Sequence, residues 1–155
     1  MIQRIQTLYL IFIIILSSFF FSGSLLTFTD INGKIYNIKL SGTTSDTLSV
    51  INLNNFIAGL CVSITVLIII LSLTAIFLFK RRKIQLVFVY IVTFLSFVLT
   101  GIEAYLIYHV LSLKELNIVP GFRILIPPVI IILAILAARG IKHDERLVKS
   151  YERLR

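Results

Sequence analysis

Long uninterrupted apolar runs, rather than alternating positions, dominate the chain. Four of them stand out, at about residues 7–28, 56–79, 86–111 and 122–138. A helix needs about 20 residues to cross a hydrocarbon core of about 30 Å, and each run is close to that length. In hydrocarbon every backbone N–H and C=O must pair within its own segment, so each run is expected to be helical. Their many Ile, Val and Phe residues would favour strands in water; here the solvent overrides that propensity. The expected fold is an all-α membrane protein, with residues 1–155 forming one four-transmembrane-helix bundle. A small β-hairpin is expected in an outer loop at 29–55, and an amphipathic cytoplasmic helix in the tail at 139–155.

Composition narrows the class. Of the 155 residues, 58% are hydrophobic and only 14% charged, against about one quarter charged in an ordinary soluble domain. The net charge of +8 would raise the question of nucleic acid in a soluble protein, but in a membrane protein the position of the charges matters more than their sum. Arg4 precedes the first run, and Lys80, Arg81, Arg82 and Lys83 fill the turn between the second and third. Arg139, Lys142, Arg146, Lys149, Arg153 and Arg155 follow the fourth. The positive-inside rule then places both termini and the 80–83 turn in the cytoplasm. Four crossings put the two ends on one side, in agreement. The first run has Arg4 before it, as a signal peptide would. It lacks a small-residue cleavage site, however, and is read as a retained anchor.

Outside the runs, Asn32-Gly33 is a hairpin turn signal, and residues 34–40 have partial strand alternation. Residues 41–46 read as turn or loop. The outer loop is either a partner-facing cap or a connector that shields helix ends. Pro120-Gly121 marks a turn in the second outer loop. Pro127-Pro128 suits the first turn of the fourth helix; deeper in, it would kink the helix. In the tail, Lys142, Arg146, Lys149 and Arg153 share one stripe of a helix over 141–155, with Leu147, Tyr151 and Leu154 opposite. Glu145 stands four positions before Lys149, a favourable pairing. The stripe is either a solvated anchor or a docking surface for acidic groups. The cluster at 80–83 sets topology or recruits anionic lipid head groups.

An ionisable residue inside a span is a functional candidate, because burying it is costly. Glu103 is the acidic case, and such a carboxyl needs either a proton or a partner. Arg123 is the nearest candidate partner by depth, while Tyr105 and His109 lie four apart on one helix face. The group is either a proton- or cation-handling site or an interfacial ion pair within an aromatic belt. Small residues four apart, as at Gly59 and Ser63 or Ala134 and Ala138, are expected to pack helices closely. Gln85 is either an interhelical hydrogen bonder or interfacial. The single Cys61 allows no intrachain disulfide, and no metal-ligand cluster, phosphate loop or nucleophile–base pair is present. The chain therefore reads as a non-enzyme that implies no cofactor.

The two ends carry a family resemblance. Residues 1–10 read Met-Ile-Gln-Arg-Ile-Gln-Thr-Leu-Tyr-Leu. Residues 136–155 read Leu-Ala-Ala-Arg-Gly-Ile-Lys-His-Asp-Glu-Arg-Leu-Val-Lys-Ser-Tyr-Glu-Arg-Leu-Arg. With the basic turn before Gln85 and the proline in the fourth run, they resemble a Bacteroidetes family of small four-span proteins of unknown function. His143 stands where that family often has lysine, and Tyr151 where it often has a small residue. The resemblance implies a bacterial inner-membrane location and brings no activity. The long first outer loop is also similar to that of claudin-like proteins. Those carry a Trp-rich motif and a cysteine pair in the loop, both of which this loop lacks.

The leading expectation is a non-enzymatic scaffold or accessory protein that contacts membrane lipids and docks another membrane or cytoplasmic protein, and no nucleic acid, through its basic tail. The alternative is a small transporter or channel subunit using Glu103, which would have to form a homo-oligomer to enclose a pathway.

Overall fold

Unbroken apolar runs of β-branched and aromatic residues do fold as helices. A computed structural model describes residues 5–21, 24–30, 35–39, 42–43, 55–111, 116–120 and 122–153. In chain order its elements are α1 (Ile5–Phe21), β1 (Ser24–Asp30), β2 (Ile35–Lys39), β3 (Gly42–Thr43), α2 (Asn55–Phe77), α3 (Arg82–Leu111), β4 (Leu116–Pro120) and α4 (Ile126–Arg153). A 3₁₀ turn at Leu78–Lys80 joins α2 to α3, and another at Phe122–Leu125 leads into α4. Three segments, Gly59–Phe77, Arg82–Tyr108 and Phe122–Arg146, are long and apolar enough to cross a membrane. α1 is apolar but has 17 residues, about 25 Å of helix.

The helices pack in a ring, α1 on α2, α2 on α3, α3 on α4 and α4 back on α1. Each turns one stripe inward. On α1 it is Gln6, Leu10, Ile13, Ser17 and Phe20; on α2 it is Cys61, Thr65, Ile68, Ser72 and Ala75. On α3 it runs Gln85, Val89, Val92, Ser96, Leu99, Glu103 and Leu106. Steps of four and three alternate, the 3.5-residue repeat of helices that wrap left-handedly and interlock side chains. The seam mixes Leu, Ile, Val and Phe with polar and small residues, and large apolar side chains such as Phe94 (67% exposed) also face outward. An exterior that apolar is unlike that of a water-soluble bundle, and it suits lipid, where close packing rather than exclusion of water draws helices together. Two of the seam hydroxyls bond to their own helix: Thr65 Oγ1 donates to the Cys61 carbonyl at 2.7 Å, and Ser96 Oγ to the Val92 carbonyl at 2.8 Å, while those of Ser17 and Ser72 have no partner among the described residues.

Several expected boundaries move. The first run was expected to stay helical to residue 28, but α1 ends at Phe21 and Ser24–Asp30 is a strand. The apolar run fuses a helix with a strand, and periodicity cannot part them where both are hydrophobic. Beyond the helices lies a four-stranded antiparallel sheet in the order β3-β2-β1-β4, so the chain is not all-α. β1 pairs with β2 (Phe28 opposite Tyr36) and on its other edge with β4 (Phe28 opposite Ile118). Gly42 and Thr43, read as loop, form β3, and the second outer loop supplies β4. The Asn32-Gly33 turn, residues 44–46 and Gly121 lie outside the described residues. Pro127 and Pro128 fall in the first turn of α4, where the missing N–H costs nothing.

The tail is the largest revision. It was expected as a separate helix after a span ending near residue 138, yet α4 runs unbroken from Ile126 to Arg153. Gly140 leaves room for α1 beside this continuous helix: a Cβ there would lie 2.9 Å from Gln6 Cγ. Gly59 and Gly101 differ, since among the described residues a Cβ at either would meet nothing within 4 Å; Gly59 therefore packs closely against no described neighbouring helix. Replacing Gly140 by Leu is expected to cost on the order of 1–3 kcal/mol through overpacking. Gly101→Ala is expected to be neutral or stabilising by up to about 1 kcal/mol through helix propensity. Unfolding midpoints of the detergent-solubilised variants check both.

Candidate functional site

Charges gather at the end of the bundle where α1 begins, α2 meets α3, and α4 continues. Here three helices are tied by one acidic residue. Gln6 Nε2 donates to Asp144 Oδ2, and Arg82 Nη1 donates to the Asp144 backbone carbonyl at 2.5 Å. Gln6 is buried in the first turns of α1, Arg82 opens α3, and Asp144 lies late in α4. Lys142 Nζ sits 5.3 Å from the centre of the Tyr90 ring, a second tie between α4 and α3. Around this knot Arg81, Lys83, Arg139, Lys142, His143 and Arg146 are exposed. The side chains of Lys80, Lys149 and Arg153 lie outside the described residues, as do those of Leu147, Tyr151 and Leu154.

Of the basic residues singled out in the sequence, Arg82 is thus engaged inward as a structural donor, while Arg81, Lys83, Lys142 and Arg146 face out. Gln6 and Asp144 were not singled out. Their only signal was a polar residue in the first turn of an apolar helix and an acid beside Glu145 in a basic tail, and nothing in sequence order joins positions 138 apart. Gln85, two per cent exposed, lies within the seam, and its Oε1 has no partner among the described residues.

At the opposite end the group centred on Glu103 is taken apart. Glu103 points into the seam at 5% exposure, and neither carboxyl oxygen has a hydrogen-bond partner among the described residues. Arg123 does not supply one: its guanidinium carbon lies 5.0 Å from the centre of the Phe19 ring on α1, and its Nε has no acceptor among the described residues. Tyr105, two positions and so about 200° further round the helix, faces outward. With Ile57, Leu60, Val98, Gly101 and Ile102 it lines an apolar groove of about 320 Å³ between α2 and α3. His109 lies within α3, but its side chain is outside the described residues. Cys61 on α2 is buried and lies within electrostatic reach of Glu103. Among the described residues no three His, Cys, Asp or Glu side chains gather as a metal site.

The geometry at the basic end predicts a coupling. In a double-mutant cycle of Gln6→Ala and Asp144→Ala, unfolding in detergent is expected to show an interaction energy of about 0.5–3 kcal/mol, as for a hydrogen bond with an ionised acceptor. Additive losses would show that the contact contributes nothing.

No curated protein and no solved structure matches the chain. A family model does, over residues 2–154, and that family is described as a domain of unknown function, DUF4293. With nearly its whole length matched and helices apolar enough for a membrane, this chain belongs to the DUF4293 family.

Proposed function

We propose that the chain is a four-span inner-membrane scaffold or accessory protein, with both termini cytoplasmic, whose basic C-terminal helix docks an acidic surface of a partner protein. The observation that carries this reading is the continuity of α4. At 28 residues it is about 42 Å long, more than a hydrocarbon core of about 30 Å requires. Asp144 lies beside Gln6 and Arg82, near the starts of α1 and α3, so positions 145–153 run on past both. The part of the stripe formed by Arg146, Lys149 and Arg153 is thereby held on a stiff extension of the bundle rather than on a hinged tail. A hinged amphipathic helix could lie flat on lipid. A clamped extension directs its charges away from the bundle, toward a protein that meets it. The basic residues at both cytoplasmic segments support the orientation, and α1 completes the crossing count with a short helix that needs modest local thinning of the bilayer. No catalytic arrangement enters the reading.

Replacing Arg146, Lys149 and Arg153 together by Glu, which spares the Asp144 knot, is expected to remove the partner retained by the full-length protein from its native membrane. Raised salt should weaken retention in the parent, because exposed charges are screened. Quantitative mass spectrometry of both preparations, with complementation of a deletion strain, provides the measurement. Identical partner sets and identical complementation would remove the reading.

A further inference from the structure

The docking reading leaves one buried group unused. Glu103 lies on the inward stripe of α3 between Leu99 and Leu106, with both carboxyl oxygens unpartnered among the described residues. Its surroundings can be taken element by element. α2 presents Cys61, whose thiol is a weak donor and no counter-ion. α1 carries no charged residue from Leu10 to Phe21; its Ser17, also on the inward stripe near the same end, has a buried hydroxyl without a partner among the described residues. Arg123, before α4, is drawn to the Phe19 ring. On α3 itself, Tyr105 turns outward. An ionised carboxylate here meets no cation and no donor among the described residues, and so is costly. A metal ion is a poor occupant, because hard cations require several oxygen ligands and none are gathered here. A proton needs no further ligand.

We propose that Glu103 is a reversible proton-binding site within the bundle, exchanging with the side where the sheet lies. Glu103 stands eight positions before Leu111, the last residue of α3, about 12 Å along the helix. Toward the basic end lie the eighteen positions back to Gln85, about 27 Å, which makes the sheet side the shorter route. The site is independent of the tail and stands whether or not the tail docks a partner.

A hydrophobic carbodiimide is the probe. The acid O–H adds across a C=N bond of the reagent, the proton passing to nitrogen and the carboxyl oxygen to carbon. The O-acylisourea then rearranges to a stable N-acylurea, so the whole reagent is added and nothing leaves. Full-length protein in vesicles of native lipid, treated with dicyclohexylcarbodiimide near neutral pH, is expected to carry one principal adduct, placed at Glu103 by peptide mapping. The adduct should diminish as the pH is raised and return when it is lowered. A water-soluble carbodiimide should leave Glu103 unmodified, and Glu103→Gln should lose the adduct while Glu103→Asp keeps it. Mapping the unaltered chain requires no variant to fold. Absence of label at Glu103, equal labelling by the water-soluble reagent, or labelling indifferent to pH would each overturn the assignment.

Discussion

Helices surrounded by hydrocarbon gain nothing by hiding apolar side chains from one another, so what holds them is closeness of approach and the few polar contacts they can make. The inner seam of this bundle follows that constraint. Its positions recur every three and four residues, and at them stand Ser17, Cys61, Thr65, Ser72, Ala75, Ser96, Ala134, Ala137 and Ala138. Small side chains let the backbones approach, and the hydroxyls of Thr65 and Ser96 are absorbed by the preceding turn of the same helix. Large residues such as Leu10, Ile68 and Leu99 fill the seam between these small ones, and others, such as Phe94, cover the outside.

The same constraint explains why the two ends differ. At the basic end Gln6, Arg82 and Asp144 satisfy one another across three helices, and Gly140 supplies the gap that brings Gln6 within reach. Removing a partner there would strand a half-buried polar group, which makes the knot a register mark for α1, α3 and α4. At the sheet end Glu103 receives no such compensation within the described residues, and Arg123 is spent on an aromatic ring. One end therefore reads as architecture that aims a charged helix. The other holds a chemical group whose surroundings do not explain its presence.

The sheet adds a second means of closure. β1 follows α1 and β4 precedes α4, and their pairing ties two ends of neighbouring helices by backbone hydrogen bonds. Pairing also answers the polar demands of the backbone where the chain is no longer helical. A turn signal at Asn32-Gly33 marks where a local hairpin could begin. Nothing local marks residues 116–120 as the other neighbour of β1, because that pairing joins positions about ninety residues apart.

Solvent preference and charge position were properties of the sequence alone: runs of apolar residues of bilayer length, basic flanks at two of the connections, and a glutamate inside a span. These follow from local composition, because transfer into hydrocarbon is decided segment by segment. Height along each helix is read from the same local count, which assigns Glu103 and Arg123 similar depths. Which way each side faces around its helix required the tertiary structure. Packing turned Glu103 inward, Tyr105 outward and Arg123 onto Phe19, and brought Gln6 to Asp144. It also decided that α4 passes Gly140 without a break, since a glycine that ends a helix and one that admits a neighbour look alike until the neighbour is in place.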